Sequence, residues 1–181
     1  MAYKKNPVVI LEDTKFIFKT NFAGDPGNDA YGNAARRGNI IIPTEELARE
    51  IADLGIDVKA TKPREGEEEG FKPTYFMPII INYRSEVAKE RPPKVYLVSN
   101  GVRRLLDEES VGSIDRCYVL NVNATVEITY LKKYDKYCAY VQTMYVEQDV
   151  DEDPFASRYR DDTPGRQQPE GPTDDEEFID E

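Results

Sequence analysis

The chain has 181 residues, 39% of them hydrophobic, and its 35 Asp+Glu against 24 Lys+Arg give a formal net charge of −11 with no histidine. That length supports one domain with an appended tail, and no apolar run approaches the roughly 20 residues of a membrane span. The missing histidine removes Ser-His and Cys-His nucleophile pairs, while Cys117 and Cys138 alone support neither a disulfide framework nor a thiolate zinc site.

At the start, "VVIL" is too short for a signal peptide, so the cytoplasm is the expected location. "KFIFKT" (15–20) alternates, with Phe16 and Phe18 on one face, and reads as a strand. The Gly/Asn/Asp-rich stretch 21–39 reads as a long loop and "NIII" (39–42) as a short strand. A helix is predicted over 44–55: Thr44 suits the N-cap, Glu45 and Glu46 the positive helix start, and Gly55 the residue after the end. Leu47, Ile51 and Leu54 give it one buried stripe. "IDVKATK" (56–62) reads as a strand and 63–73 as a polar loop. "TYFMPIIINYRS" (74–85) and "KVYLVS" (94–99) are β-rich, with Pro78 marking an edge or bulge, and "VRRLLDEESVGSI" suits a helical turn or two.

The segment "CYVLNVNATVEITY" (117–130) alternates over fourteen residues, well beyond an ordinary strand. A second strand follows "LKKYDK", which predicts a long hairpin. Setting Tyr130 opposite Tyr137 puts Ala139, Val141, Thr143 and Tyr145 on the apolar face. Cys138, Tyr140, Gln142 and Met144 then fall on the polar one, and a slip of one residue would reverse both sets. Five or six strands and one helix suggest a mainly β, OB-like antiparallel barrel over residues 1–160, with a β-sandwich as the alternative. Residues 161–181, rich in Pro, Gly, Gln and acids, are expected to form a disordered tail with a root-mean-square span of about 25 Å.

Charge is segregated along the chain. Residues 1–146 hold 21 Lys+Arg and 21 Asp+Glu, whereas residues 147–181 hold 3 and 14. "GEEEG" (66–70) and "LDEES" (106–110) gather six acids of the body into two patches, leaving room for a positive face elsewhere. Basic and aromatic residues are threaded together in "FKTNF", "VKATKPR", "FKPTYF" and "NYRS". Rings give unpaired bases a stacking platform and cations track phosphates. The same pattern arises when tyrosines fill strand faces and lysines keep strands soluble. The candidate nucleic-acid contacts are Lys19, Phe22, Arg36, Arg37, Lys59, Lys62, Tyr75, Tyr83, Arg84 and Tyr140. Arg36 and Arg37 fall in a Gly/Asn loop with no GK[ST] element, so the loop is not a P-loop. "DVK" (57–59), with Asp25 or Asp29, matches the D-x-K of some magnesium nucleases, but so short a pattern recurs by chance. Near its end the tail carries Asp174, Asp175, Glu176, Glu177, Phe178 and Ile179, an anionic segment with an apolar hook that suits a partner pocket with a basic rim. No cofactor, metal or catalytic residue is indicated.

A β-rich body with basic and aromatic residues and an acidic tail holding an aromatic resembles the single-stranded-DNA-binding proteins of tailed bacteriophages. "TNFAGDP", "GEEEGFKPTYF" and "YVEQDVDEDPFASRYR" are similar to one phage group of these proteins. The resemblance implies an OB fold, sequence-tolerant binding of single strands, a role in phage replication or recombination, and a location in the host cytoplasm. It also implies a tail that competes with DNA and contacts replication proteins such as a polymerase or helicase, with homodimerisation left open. In several such families the aromatic is the last residue; here Phe178 lies three residues inside. The expectation is therefore a non-catalytic protein that coats single strands, set against a metal-dependent nuclease built on Asp57 and Lys59 or an anionic inhibitor of a host enzyme.

Overall fold

Alternation over the longest apolar-polar run produces the longest pair of strands, and the rest of the sheet is built on them. The computed structural model describes residues 5–28 and 34–149, which lie in one unit, Met1–Val150. In chain order the elements are β1 (Val8–Thr14), β2 (Phe16–Asn21), β3 (Arg37–Ile42), α1 (Glu45–Asp53), β4 (Lys59–Ala60) and β5 (Tyr75–Ile80). They continue with α2 (Glu86–Glu90), β6 (Lys94–Ser99), β7 (Val102–Leu106), β8 (Val119–Leu131) and β9 (Lys136–Gln148), with 3-10 turns at Pro26–Asn28 and Val111–Arg116. The expected boundary at 160/161 and the tail lie outside the described residues.

The protein is mainly β, as expected, but nine strands form among the described residues rather than five or six, and α2 joins the expected helix. The main path runs β1-β8-β9-β5-β3-β2 and does not close into the expected barrel. Its two end strands are not paired with each other; they are consecutive in the chain, joined through Lys15 alone, so one bent segment supplies both edges. The junction is tied to β3 by Ile41 N–H donating to Lys15 O at 2.9 Å and by Thr14 Oγ1 donating to Ile41 O at 2.6 Å. Strands β5 and β9 meet in parallel at Ile80 and Tyr140; beyond them β6 continues along β9 in parallel and pairs with β7.

The core sits on the inner face of this path. Leu11, Phe22, Ile40, Ile51, Met77, Ile79, Val126, Ile128 and Met144 are fully buried or nearly so; each such aliphatic or aromatic side chain contributes about 1.5–3 kcal/mol of burial. Helix α1 forms as its sequence indicates. Thr44 Oγ1 accepts from Leu47 N–H at 3.1 Å, Glu45 pairs with Arg49 at 2.9 Å, and Ala48 and Ile51 are buried. Gly55 ends the helix at φ +104°, and a Cβ there would lie 2.4 Å from the Tyr137 ring, so both backbone and packing demand glycine.

The β8–β9 register is the expected one at the hairpin end: Tyr130 faces Tyr137, Ile128 faces Ala139 and Val126 faces Val141. It then shifts, because the next pair is Thr125 with Thr143 and Gln142 has no opposite number. Past this bulge the faces exchange. Met144 and Val146 point inward and are fully buried, while Thr143 and Tyr145 point outward, the reverse of the faces expected for Thr143, Met144 and Tyr145.

Candidate nucleic-acid interface

Residues directly opposite on paired strands project from the same face. Along one row Asn21 faces Arg37, Arg37 faces Ile80 and Ile80 faces Tyr140. In a second row on the same face Ile41 and Lys59 flank Phe76. The opposite face of these strands carries Ile40, Met77 and Ile79 into the core. The outer face of β3, β4, β5 and β9 therefore gathers Arg37, Lys59 and Tyr140 from three separate parts of the chain.

Phe18 completes this face. The β2–β3 register shifts between Ile17 and Asn21, and within the shift Phe18 adopts φ 62°, a conformation that costs a non-glycine residue about 1–2 kcal/mol. The turn of backbone swings the ring outward, 65% exposed, edge-on against Phe76 at 5.2 Å between centroids. Phe22, the expected contact, is instead fully buried, packs on Phe16 at 5.3 Å and presents no face to a base. Phe18 is the aromatic that the sequence pattern missed, because only the backbone twist separates it from its neighbour Phe16.

The hairpin tip adds a second aromatic and basic group. "YLKKYDKY" (130–137) carries three lysines and three tyrosines, and Tyr130, Tyr134 and Tyr137 are all exposed. Lys133 Nζ and Lys136 Nζ lie 5.4 Å and 6.0 Å from the Tyr134 ring centroid, so cations and a ring share one surface. Tyr130 Oη donates a short hydrogen bond to Asp135 Oδ1, which holds the four-residue turn and pushes the phenol up. Tyr140 is also pushed up, first by burial and then by Cys138 and Tyr134. Tyr137 stands three residues before Tyr140 on β9, so the tip adjoins the outer face. The composition of this octapeptide was a signal in plain view; it reads first as a turn.

The other expected contacts are spread about. Lys19 is exposed within the β2 bulge, and Lys62 is exposed on the loop after β4. Tyr75 lies opposite Ile42 and Ala60, on the core side of β5, and packs half-buried against the core, away from the outer face. Tyr83 packs on the core with its hydroxyl buried; desolvation pushes that phenol up to about 12, the Arg36 charge opposing and Asp107 and Glu108 adding.

Arg36 and Arg84 stand together elsewhere, at an open cleft of about 500 Å³ lined by Ala23, Glu108, Glu109 and Gly112 as well. Arg36 Nη1 donates to the carbonyls of Phe22 and Ala23, both at 2.8 Å. On the other side of that turn Asp115 accepts from Phe22 N–H at 2.8 Å and Ala23 N–H at 2.9 Å, so the turn after β2 is clamped through both its donors and its acceptors. Asp57 and Lys59 are exposed, and no three Asp, Glu or Cys side chains gather into a metal-holding group among the described residues. Asp29 and the tail residues Asp174 to Ile179 lie outside the described residues, and no described helix is long and apolar enough to cross a membrane.

Rings beside fixed cations on a sheet face, flanked by a basic and aromatic hairpin, are the surface chemistry that unpaired bases and a phosphate backbone recognise. The family described as "Putative phage ssDNA-binding domain" matches residues 1–173, and the chain belongs to it. No curated protein and no solved structure matches the chain.

Proposed function

We propose that this protein coats single-stranded DNA without sequence preference, protecting strands during phage replication or recombination in the host cytoplasm. The strand lies across the outer face of β3 and β5, bases stacking on Phe18 and Tyr140 and phosphates following Arg37, Lys59 and the lysines of the hairpin tip. The observation that carries this reading is the convergence of Phe18, Lys59, Arg37 and Tyr140 on one face beside the 130–137 tip, since these residues are scattered in sequence. The strand order, with its single bent segment at both ends, favours an OB-type architecture, whose corresponding face and flanking loops bind oligonucleotides.

Family membership supports single-stranded DNA as the partner. The acidic C-terminal segment competes with DNA for the cationic face and, when displaced, offers Phe178 and Ile179 to replication proteins such as a polymerase or helicase. Binding requires no bond-breaking step. Titrating tyrosine fluorescence with oligo-dT at two salt concentrations tests the reading: affinity falls with salt, with a slope of roughly −0.7 per phosphate neutralised. Deleting residues 161–181 tightens binding; unchanged or weaker affinity would remove the competition from the scheme. Cleavage of labelled strands in magnesium would point to a nuclease instead.

A further inference from the structure

Two arginines from different parts of the chain meet at a single carboxylate. Arg84 Nε donates to Glu108 Oε1 at 2.8 Å, and Arg36 Nη2 stands 3.7 Å from the same oxygen. Arg36 is held in place by its two bonds to the Phe22 and Ala23 carbonyls, so its remaining edge is fixed toward the cleft. Glu108 is presented just as firmly. Asp107 Oδ1 accepts from Glu109 N–H, Ser110 N–H and Ser110 Oγ, while Asp107 N–H donates to Ser110 Oγ, which locks the turn around it. The turn is therefore held by its own hydrogen bonds and by buried Leu106 and Val111. It does not need Glu108 for its shape, and exposed ion pairs contribute little to stability.

The cleft lies off the Arg37 end of the outer face, where Arg36 turns to the side of the sheet opposite Arg37, so a strand reaches it by rounding that end. Arg36 precedes Arg37, and Ile81 N–H donates to Arg36 O at 2.9 Å next to the Arg37–Ile80–Tyr140 row. Two guanidinium groups around one oxyanion form the kind of charged fork that receives a phosphate as readily as a carboxylate. Arg84 is 83% exposed and Glu108 38%, so the carboxylate can leave without unfolding its surroundings.

We propose that Arg36 and Arg84 form a phosphodiester subsite at the end of the single-strand path, and that Glu108 fills it as an internal anion until a strand displaces it. This inference rests on the single-strand reading above. The exchange is non-covalent: one oxyanion replaces another on the same two cations.

The test uses the full chain and oligo-dT, followed by tyrosine fluorescence. Glu108→Gln tightens binding about threefold to tenfold at low salt, the worth of two exposed ion pairs, and the gain shrinks as salt rises. Glu46→Gln, the same charge change on exposed α1, does not reproduce it. Arg84→Gln weakens binding and makes the salt slope shallower by about 0.7, and in that background Glu108→Gln loses most of its effect. Should Glu108→Gln fail to fold, Glu108→Asp keeps the charge but shortens the reach, and it also tightens binding. Wild-type binding with no gain in either Glu108 variant beyond the Glu46 control overturns the subsite alone. Failure of the wild type and every variant to bind oligo-dT overturns the single-strand reading with it.

Discussion

Phe18 separates two roles that a surface aromatic can play, because replacing it with glycine moves stability and binding differently. Glycine at φ 62° relieves about 1–2 kcal/mol of backbone cost. Against this, the edge-on contact with Phe76 at 5.2 Å is worth about 0.5–1.5 kcal/mol. The looser unfolded chain of a glycine variant costs about 0.4–1 kcal/mol more. These contributions nearly cancel, so Phe18→Gly should unfold in urea within about 1.5 kcal/mol of the wild type. A platform for one base is worth about 1–3 kcal/mol, so its affinity for oligo-dT should fall by about fivefold to 150-fold. Phe18→Tyr, which keeps a ring on the same twisted backbone, should retain affinity. A folded Phe18→Gly protein with wild-type affinity would show that the exposed ring is not a stacking platform. A loss of stability above about 3 kcal/mol would place Phe18 in the core and refute the argument from the other side.

Replacing Lys133 and Lys136 together with alanine should make the slope of log affinity against log salt shallower by about 1.4; an unchanged slope would place the strand away from the hairpin tip. Gly55→Ala must accept φ +104° and a Cβ 2.4 Å from the Tyr137 ring, so it should lose about 1–3 kcal/mol in urea unfolding, and a loss below about 0.5 kcal/mol would mean that the helix end and ring shift freely. Tyr83, pushed up to about 12 by burial, stays neutral in the folded protein where an unfolded tyrosine ionises near 10. Its contribution is therefore constant below pH 10 and lost as pH rises from about 10 to about 12. The denaturation midpoint should fall less over that range in Tyr83→Phe than in the wild type, and equal falls would assign the effect to other groups.

What could be read from the sequence depended on how local the determining signal was. Helix α1 was legible because its cap, its apolar stripe and its closing glycine all act within one segment. The long β8–β9 hairpin was legible from its alternation, and the register near the turn from pairing Tyr130 with Tyr137. The run 102–114 reads as a helical turn or two, and a 3-10 turn does form from Val111, but its first half is strand β7, whose cause is local: Asn100 and Gly101, at φ 51° and 76°, make the two-residue turn that pairs Ser99 with Val102. Strand β1 was hidden because "VVIL" shows no alternation, although Val9 and Leu11 are buried and Val8 and Ile10 exposed. For the site, Arg37, Lys59 and Tyr140 share a face only through pairings between distant strands, which composition cannot supply.

The bulge at Gln142 shows how one residue with no opposite number on β8 governs both packing and surface. Had the register run on unbroken, Met144 and Val146 would face solvent and Tyr145 would enter the core, exchanging two buried side chains for a phenol with a hydroxyl to satisfy. The inserted residue reverses this. It delivers Met144 and Val146 to the interior and turns Tyr145 outward, where its ring stacks on Tyr96 at 4.7 Å and 17° between planes. Arg103 then lies 4.9 Å above Tyr96 and donates to Tyr145 Oη at 3.1 Å, so the outward ring gains partners. The same shift coincides with the change of β9's neighbour, from β5 at Tyr140 to β6 from Thr143 onward. From Tyr140 to Tyr145 the outer face extends about 16 Å at the rise of a strand. An inserted residue in mid-strand, which as a sequence feature looks like nothing at all, thereby puts Tyr140 and Tyr145 on the same side of β9 in place of opposite sides.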